Sequence, residues 1–416
     1  MTTTTQVPGQ AGTARAAHRM GWLPVAAVLL GTGWGANQIT PMLLVYRHVL
    51  GLSTGTLEAV FGVYALGLIP GLLLAGPLSD ARGRRAVVGP AAVTSLIASL
   101  LLTAAGTSVA ALFAGRLLAG VSSGAVFGAG TAWLREVSQP PLGQASDHTA
   151  ARRAAVAMTA GFALGPLVAG LLAQWAPAPT VVPYLPHVAV MAAVLVLLRR
   201  APETVTAAGR PAVRLAPPGL RSTRFRRLVA PMAPWVFAAP AIAFALLPSV
   251  VGAGGAADGV ALTAAITALC ALAGVLIQPL ARRLDGRGRG GRGAIAGLLA
   301  LAGGLLLGAV TAQSHRPWLL VPCAVVLGCA YGLCLVAGLV EIQRIAGRRE
   351  LAGLTAIYYA LAYLGFAAPT LIVLAAHLAS YALLLVIAAG LALGSAAVVG
   401  RGAAAAAASA ARQPGG

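Results

Sequence analysis

The chain of 416 residues is 59% hydrophobic and 9% charged, with a formal net charge of +20. A mean hydropathy of +0.86 excludes an ordinary soluble fold, which would have to expose large apolar patches to carry it. The basic excess also argues against a nucleic-acid binder, because the arginines punctuate apolar runs instead of gathering on one surface among aromatics.

Apolar residues recur in blocks of about twenty, the length that crosses ~30 Å of hydrocarbon as helix. Six blocks lie at 22–45, 57–75, 86–105, 110–134, 154–173 and 181–198. A polar, arginine-containing stretch follows, and six more blocks lie at 228–251, 260–280, 294–312, 317–340, 351–375 and 381–399. Most lack the strict alternation of barrel strands and exceed a strand's length, so they read as helices. The first block is too long and too poorly flanked for a cleaved signal peptide and is expected to stay as the first helix.

Basic flanks concentrate on the cytoplasmic side of a bilayer. With both termini inside, the even-numbered loops should be basic, and they are. They hold Arg82, Arg84 and Arg85; Arg135, Arg152 and Arg153; Arg199, Arg200, Arg210, Arg214, Arg221, Arg224, Arg226 and Arg227; Arg282, Arg283, Arg287, Arg289 and Arg292; and Arg344, Arg348 and Arg349. The opposite loops hold only Arg47 and Arg316. All 29 basic residues are arginine, and the chain is crowded with Ala and Gly, as a GC-rich bacterial genome would give; the expected location is a bacterial inner membrane. The central arginines suit anionic lipid headgroups. Cys270, Cys323, Cys329 and Cys334 fall inside spans without a CxxC spacing and read as small packing residues.

The most specific string is Gly76-Pro-Leu-Ser-Asp80-Ala-Arg82-Gly83-Arg84-Arg85, between the second and third spans. It resembles the signature loop of the major facilitator superfamily, with Ala81 where a basic residue usually follows the acid. Asp80 is expected to meet a helix N-terminus or an arginine across the interface between halves and so favour one conformer. A degraded counterpart, Gln278-Pro-Leu-Ala-Arg282-Arg283-Leu-Asp285-Gly-Arg287, stands at the matching place in the second half. The resemblance implies an all-α membrane protein of twelve transmembrane helices in two pseudo-symmetric six-helix halves, 21–200 and 228–400. A central cytoplasmic loop, 201–227, joins them, with cytoplasmic tails at 1–20 and, disordered, at 401–416. The substrate cavity would lie between the halves near midplane.

Two more strings resemble the same superfamily. Arg116, in Gly115-Arg116-Leu-Leu-Ala-Gly120, is the only strongly basic residue inside a span; burying it costs ~3 kcal/mol or more unless it is paired, so it reads as a transport candidate or a snorkelling side chain. Gly161-Phe-Ala-Leu-Gly165-Pro166-Leu-Val-Ala169-Gly170 resembles the helix-five motif of the superfamily's exporters, especially its drug-proton antiporters, and tilts the expected direction to efflux. The same string is also a small-residue packing seam.

Proton coupling has few candidates. Asn37 and Gln38 occupy the place where proton-coupled relatives often carry an acid, and Gln38 cannot titrate. Among nine acids only Glu58 lies clearly within a span; it reads either as the proton carrier or as a partner for Arg47. Glu136 and Glu341 sit at matching inner ends of the fourth and tenth spans, where Arg135 and Arg344 stand ready to pair. Tyr331, Tyr358, Tyr359 and Tyr363 either line the cavity or pack. A cavity with Arg116 and no central carboxylate suits neutral or anionic solutes over lipophilic dications. The six histidines form no metal-like pair, and no HExxH, nucleophile elbow or phosphate loop occurs, so no enzyme, metal or cofactor is expected. The expectation is a monomeric secondary transporter, proton-coupled and exporting. An uptake permease, a uniporter and a non-transporting receptor are the alternatives.

Overall fold

A computed structural model describes residues 21–205, 218–252, 258–285, 290–346 and 351–411. The tail 1–20, most of the central loop with Arg210 and Arg214, and Arg287, Arg289, Arg348 and Arg349 lie outside the described residues. Among the described residues every element is helical.

The first segment, α1, is two helices, Leu23–Asn37 and Ile39–Leu50. Then follow α2 (Thr54–Arg82), α3 (Arg84–Thr103), α4 (Val109–Ser138), α5 (Asp147–Trp175), α6 (Val182–Leu198), α7 (Phe225–Val251), α8 (Gly259–Asp285), α9 (Arg292–Ser314), α10 (Pro317–Ile345), α11 (Gly353–Ala375) and α12 (Tyr381–Ala411). Ten of these, α2–α5 and α7–α12, are long and apolar enough to cross a membrane.

The other two depart from continuous spans for local reasons. Pro41 has no N–H to donate and its ring crowds the Asn37 carbonyl, so α1 breaks at Gln38. The sixth predicted block begins later because Pro183 lies in a 3₁₀ turn, Val182–Tyr184, that precedes the α-helical part of α6. At the other end α12 overruns its predicted limit. The segment 401–416, expected to be disordered, is helical as far as Ala411, because its run of alanines has the best intrinsic helix propensity.

The helices pack as two halves. In the first, α2 lies on α4, α1 on α5, and α3 on α4 and α6; in the second, α8 lies on α10, α7 on α11, and α9 on α10 and α12. The same pairs recur six helices later, which is the positional repeat expected from the two similar loops. Close approach depends on glycine in the same places. A Cβ on Gly120 or Gly124 of α4 would collide with the Tyr64 or Leu68 carbonyl of α2, and one on Gly328 or Gly332 of α10 with the Cys270 or Gly274 carbonyl of α8. The halves meet through α5 on α8 and α2 on α11, a pairing that the same repeat exchanges. Outward-facing Leu66 and Leu276 are 68% and 69% exposed, as on the apolar surface of membrane-length helices.

Candidate functional site

At the arginine-rich end the ion pairs among the described residues fall within each half. Arg84, at the start of α3, donates to Asp80 at 2.5 Å, to Ser79 at 2.6 Å and to both oxygens of Glu136 at 2.7 and 3.1 Å. Asp80 therefore does not reach across to the other half; its partner is one helical turn along, within the first half. Glu136 takes Arg84 and the Thr204 hydroxyl. Arg82 and Arg85 are exposed, and Arg85 donates to the Ala201 carbonyl. In the second half Glu341, 1% exposed, accepts from Arg224 at 2.6 Å and Arg344 at 2.8 Å. Asp285 accepts from the Gly293 N–H at the start of α9, and Arg344 donates to its carbonyl.

Glu203, the sole acid of the central loop, was not anticipated. Its carboxylate accepts the backbone N–H groups of Arg84, Arg85 and Thr204 at 2.9 Å and of Val205 at 3.2 Å, so it caps α3. Partial burial acts to raise its pKa, and the four N–H donors outweigh that and hold it below the usual carboxylate range. Gly83 makes this possible. Its φ of 108° lies where side chains are strained, and a Cβ there would stand 2.8 Å from Glu203 Oε2.

Deep in the first half Arg116 is 1% exposed, so it does not snorkel. It donates to the Ala36 carbonyl beside the α1 break at 3.0 Å and to the Val60 and Phe61 carbonyls of α2 at 3.4 and 3.3 Å. Its guanidinium lies 4.5 Å from the Tyr64 ring centroid. Arg116 thus joins α1, α2 and α4. Gln38 is turned away from the other half: it donates to Ser99 Oγ of α3 at 2.9 Å, and Ser99 meets His187 Nδ1 of α6 at 2.7 Å. His187 Nε2 donates to the Gly31 carbonyl at 2.9 Å. His187, fully buried, gave no signal in the sequence beyond a lone histidine in an apolar run. Asn37 is only partly buried, on the Trp34 and Pro41 face of α1, which faces α5.

Of the helix-five residues, Gly161 and Gly165 press on the α1 backbone at Leu30 and Trp34, within the first half. Gly170 faces Ala264 of α8 across the two halves, and Pro166 is buried.

In the centre the second half presents an aromatic wall. Phe237 of α7 stacks on Tyr363 at 4.2 Å and 13° and on Phe366 at 5.3 Å and 17°. Tyr331 lies 5.6 Å from Phe237, and Tyr359 is 6.4 Å from Tyr363. Tyr331 and Tyr359 are partly exposed. Tyr358 is a packing residue: it is fully buried and its hydroxyl donates to the Cys334 and Leu335 carbonyls. Phe61 and Tyr64 of α2 stand edge-on to Phe366, closing the wall from the opposite half.

The arginine-poor end joins the halves. Arg47 donates to the Ser249 carbonyl of α7 at 3.3 Å and to Thr54 Oγ1 at 2.5 Å. Thr370 of α11 donates to the Glu58 carbonyl at 2.9 Å, and Gln174 Oε1 accepts from the Ala261 N–H of α8. The Glu58 side chain is fully buried with neither carboxyl oxygen hydrogen-bonded.

Two repeated halves of helices, ten of them long and apolar enough to cross a membrane, are hydrogen-bonded to each other at one end and internally ion-paired at the other. The model of the Major Facilitator Superfamily matches residues 23–370, and the chain belongs to that family. Multidrug resistance protein MdtL of Escherichia coli O45:K1 (strain S88 / ExPEC) is 37% identical over 87 residues, 21% of this chain and 22% of that protein. MdtL of Escherichia coli O81 (strain ED1a) matches to the same extent, so the aligned segment spans 22% of the length of these relatives. The nucleoside transporter NupG superposes with a TM-score of 0.68 at 15% identity, over 92% of this chain and 98% of that one. A POT family transporter in complex with 5-aminolevulinic acid gives a TM-score of 0.71 at 13% identity, over 92% and 95%. At such identities these likenesses show the fold.

Proposed function

We propose that the chain exports a small, uncharged, aromatic-bearing solute by alternating access, driven by the proton gradient. The observation that carries this reading is an asymmetry among the described residues: hydrogen bonds join the halves at the arginine-poor end, whereas at the arginine-rich end Asp80 and Glu136 pair with Arg84, and Glu341 with Arg224 and Arg344, each within its own half. Such halves rock as rigid bodies about a site between them. The positive-inside pattern assigns the arginine-rich end and both termini to the cytoplasm of a bacterial cell, which makes this conformer inward-facing. Lipid is the surrounding partner. One chain carries both halves, so a monomer suffices.

Efflux is supported by the helix-five string and by the partial match to a multidrug resistance protein. The solute class follows from the partly exposed Tyr331 and Tyr359, whose rings and hydroxyls stand beside the buried stack of Phe237 on Tyr363. The case for anions weakens, because Arg116 is 1% exposed and gives three of its five N–H donors to backbone carbonyls. Glu58 is the acid best placed to carry the coupling proton. No enzymatic step enters this reading.

The test is pH-gradient dissipation in proteoliposomes of the purified protein, across neutral, anionic and cationic aromatic solutes. Solute-dependent proton flux, lost in Glu58→Gln and weakened in Tyr359→Ala, is the expected result. Solute flux without proton movement would leave a uniporter, and binding without flux a receptor.

A further inference from the structure

Glu58 and Arg47 lie where α1, α2, α7, α11 and α12 meet. Arg47 lies in the last turn of α1 and bridges the halves through Nη1 on the Ser249 carbonyl of α7, while its Nη2 donates to Thr54 of α2. Thr54 and Glu58 are four residues apart on α2, hence on the same face, with Glu58 one turn deeper. A guanidinium resting on Thr54 reaches the Glu58 carboxyl by moving about one helical pitch, ~5.4 Å. The charged or titratable groups that act on Glu58 are Arg47 from α1 and Tyr381 from α12. Of the flanking helices, α7 brings the Ser249 carbonyl, which meets Arg47, and α11 the Thr370 hydroxyl, which meets the Glu58 backbone carbonyl, and neither group titrates.

Both Glu58 oxygens are buried and unpartnered while Arg47 is engaged by Ser249 and Thr54. An ionised carboxylate in that place would be costly unless a cation joined it, and the cation at hand is Arg47, which bridges the halves through the Ser249 carbonyl. Resting on the proton-coupled reading above, we propose that Glu58 and Arg47 form a proton-operated latch on the arginine-poor gate. With the proton on Glu58, Arg47 holds the Ser249 carbonyl and the gate is closed, as in this structure. When Glu58 gives its proton to water, its carboxylate draws the Arg47 guanidinium down one turn of α2. The Arg47–Ser249 hydrogen bond breaks, an Arg47–Glu58 ion pair forms, and α7 is released from α1. Arg47 keeps its own proton throughout, so each opening discharges one proton from the gate.

The experiment is a pair of spin labels across the gate, at Val49 of α1 and Leu378 before α12, which are 51% and 79% exposed. The full-length protein carries Val49→Cys, Leu378→Cys and Cys329→Ser and sits in lipid nanodiscs. The distance between labels is measured in acid and in alkaline buffer by pulsed electron resonance. A short distance in acid that gives way to a longer one in alkali is expected, with Glu58→Gln short in both and Arg47→Ala long in both. A shift that survives Glu58→Gln, or a gate that stays shut without Arg47, overturns the latch. Arg47 is partly exposed, so its variant tests the switch should Glu58→Gln fail to fold. Flux by the parent protein separates the two ideas: parent flux together with a shift that survives Glu58→Gln sinks only the latch, whereas a shift lost in Glu58→Gln while the parent moves no solute upholds the latch and sinks the transport reading.

Discussion

Arg116 shows how a residue can be conspicuous in sequence and yet be used for assembly. Its three carbonyl acceptors belong to two helices, and the fork of a guanidinium is what lets one side chain reach both. Lysine keeps the charge but not the fork. Arg116→Lys is therefore expected to lower stability by about 2 kcal/mol, leaving buried carbonyls short of donors, and to lower the melting temperature in detergent without changing which solutes bind. Glu203 gives a prediction in pH. Its folded pKa is depressed, so its stabilising contribution is present above the unfolded carboxylate value, about 4.3, and is lost as pH falls through the folded value. Glu203→Gln should melt below the parent at neutral pH, with the gap closing in acid. Neither role was legible in the sequence. Arg116 announced itself by its cost, but its acceptors are backbone atoms that no side-chain pattern reveals. Glu203 lies more than a hundred residues from the N–H groups it caps.

At the level of helices, hydropathy located the spans because span length is fixed by the bilayer, whatever the sequence inside it. It missed the break at Gln38 because a proline's effect is felt one turn earlier, inside an unbroken apolar run. Glycine patterns were legible as seams, though not as to partner: Gly161 and Gly165 serve α1, and only Gly170 serves α8. Two substitutions separate packing glycines from incidental ones. Gly161→Leu must push α5 off the Leu30 carbonyl of α1 and is expected to prevent stable folding, read as aggregation on size-exclusion chromatography. Gly76→Ala, in the signature loop, meets open space on α2. It should be neutral or stabilising by up to ~1 kcal/mol in a thermal melt.

For the molecule as a whole, the two-half architecture was readable from spacing, loop charge and a repeated motif. The partners of Asp80 were not, since pairing within a half and across halves look alike in one dimension. The structure brings α2 against α11 across the two halves. A Cβ on Gly62 would stand 3.2 Å from Thr370 Oγ1, within the reach of a disulfide. Gly62→Cys with Thr370→Cys should cross-link under mild oxidant, abolish solute flux in proteoliposomes, and recover it on reduction. Flux that persists in the fully cross-linked protein would mean that this seam does not open.

The chain of hydrogen bonds from Gln38 through Ser99 to His187 also has a direction. The Gly31 carbonyl can only accept, so the imidazole carries a proton on Nε2, and a neutral ring then uses every hydrogen from Gln38 onward. Both ends of that chain lie on α1, at Gly31 and at the break, while the ring sits on α6. Straightening α1 would pull its ends apart. The nitrogen chemical shifts of a single isotope-labelled imidazole therefore act as a built-in strain gauge, one that reports whether the first helix keeps its bend while the halves exchange conformations.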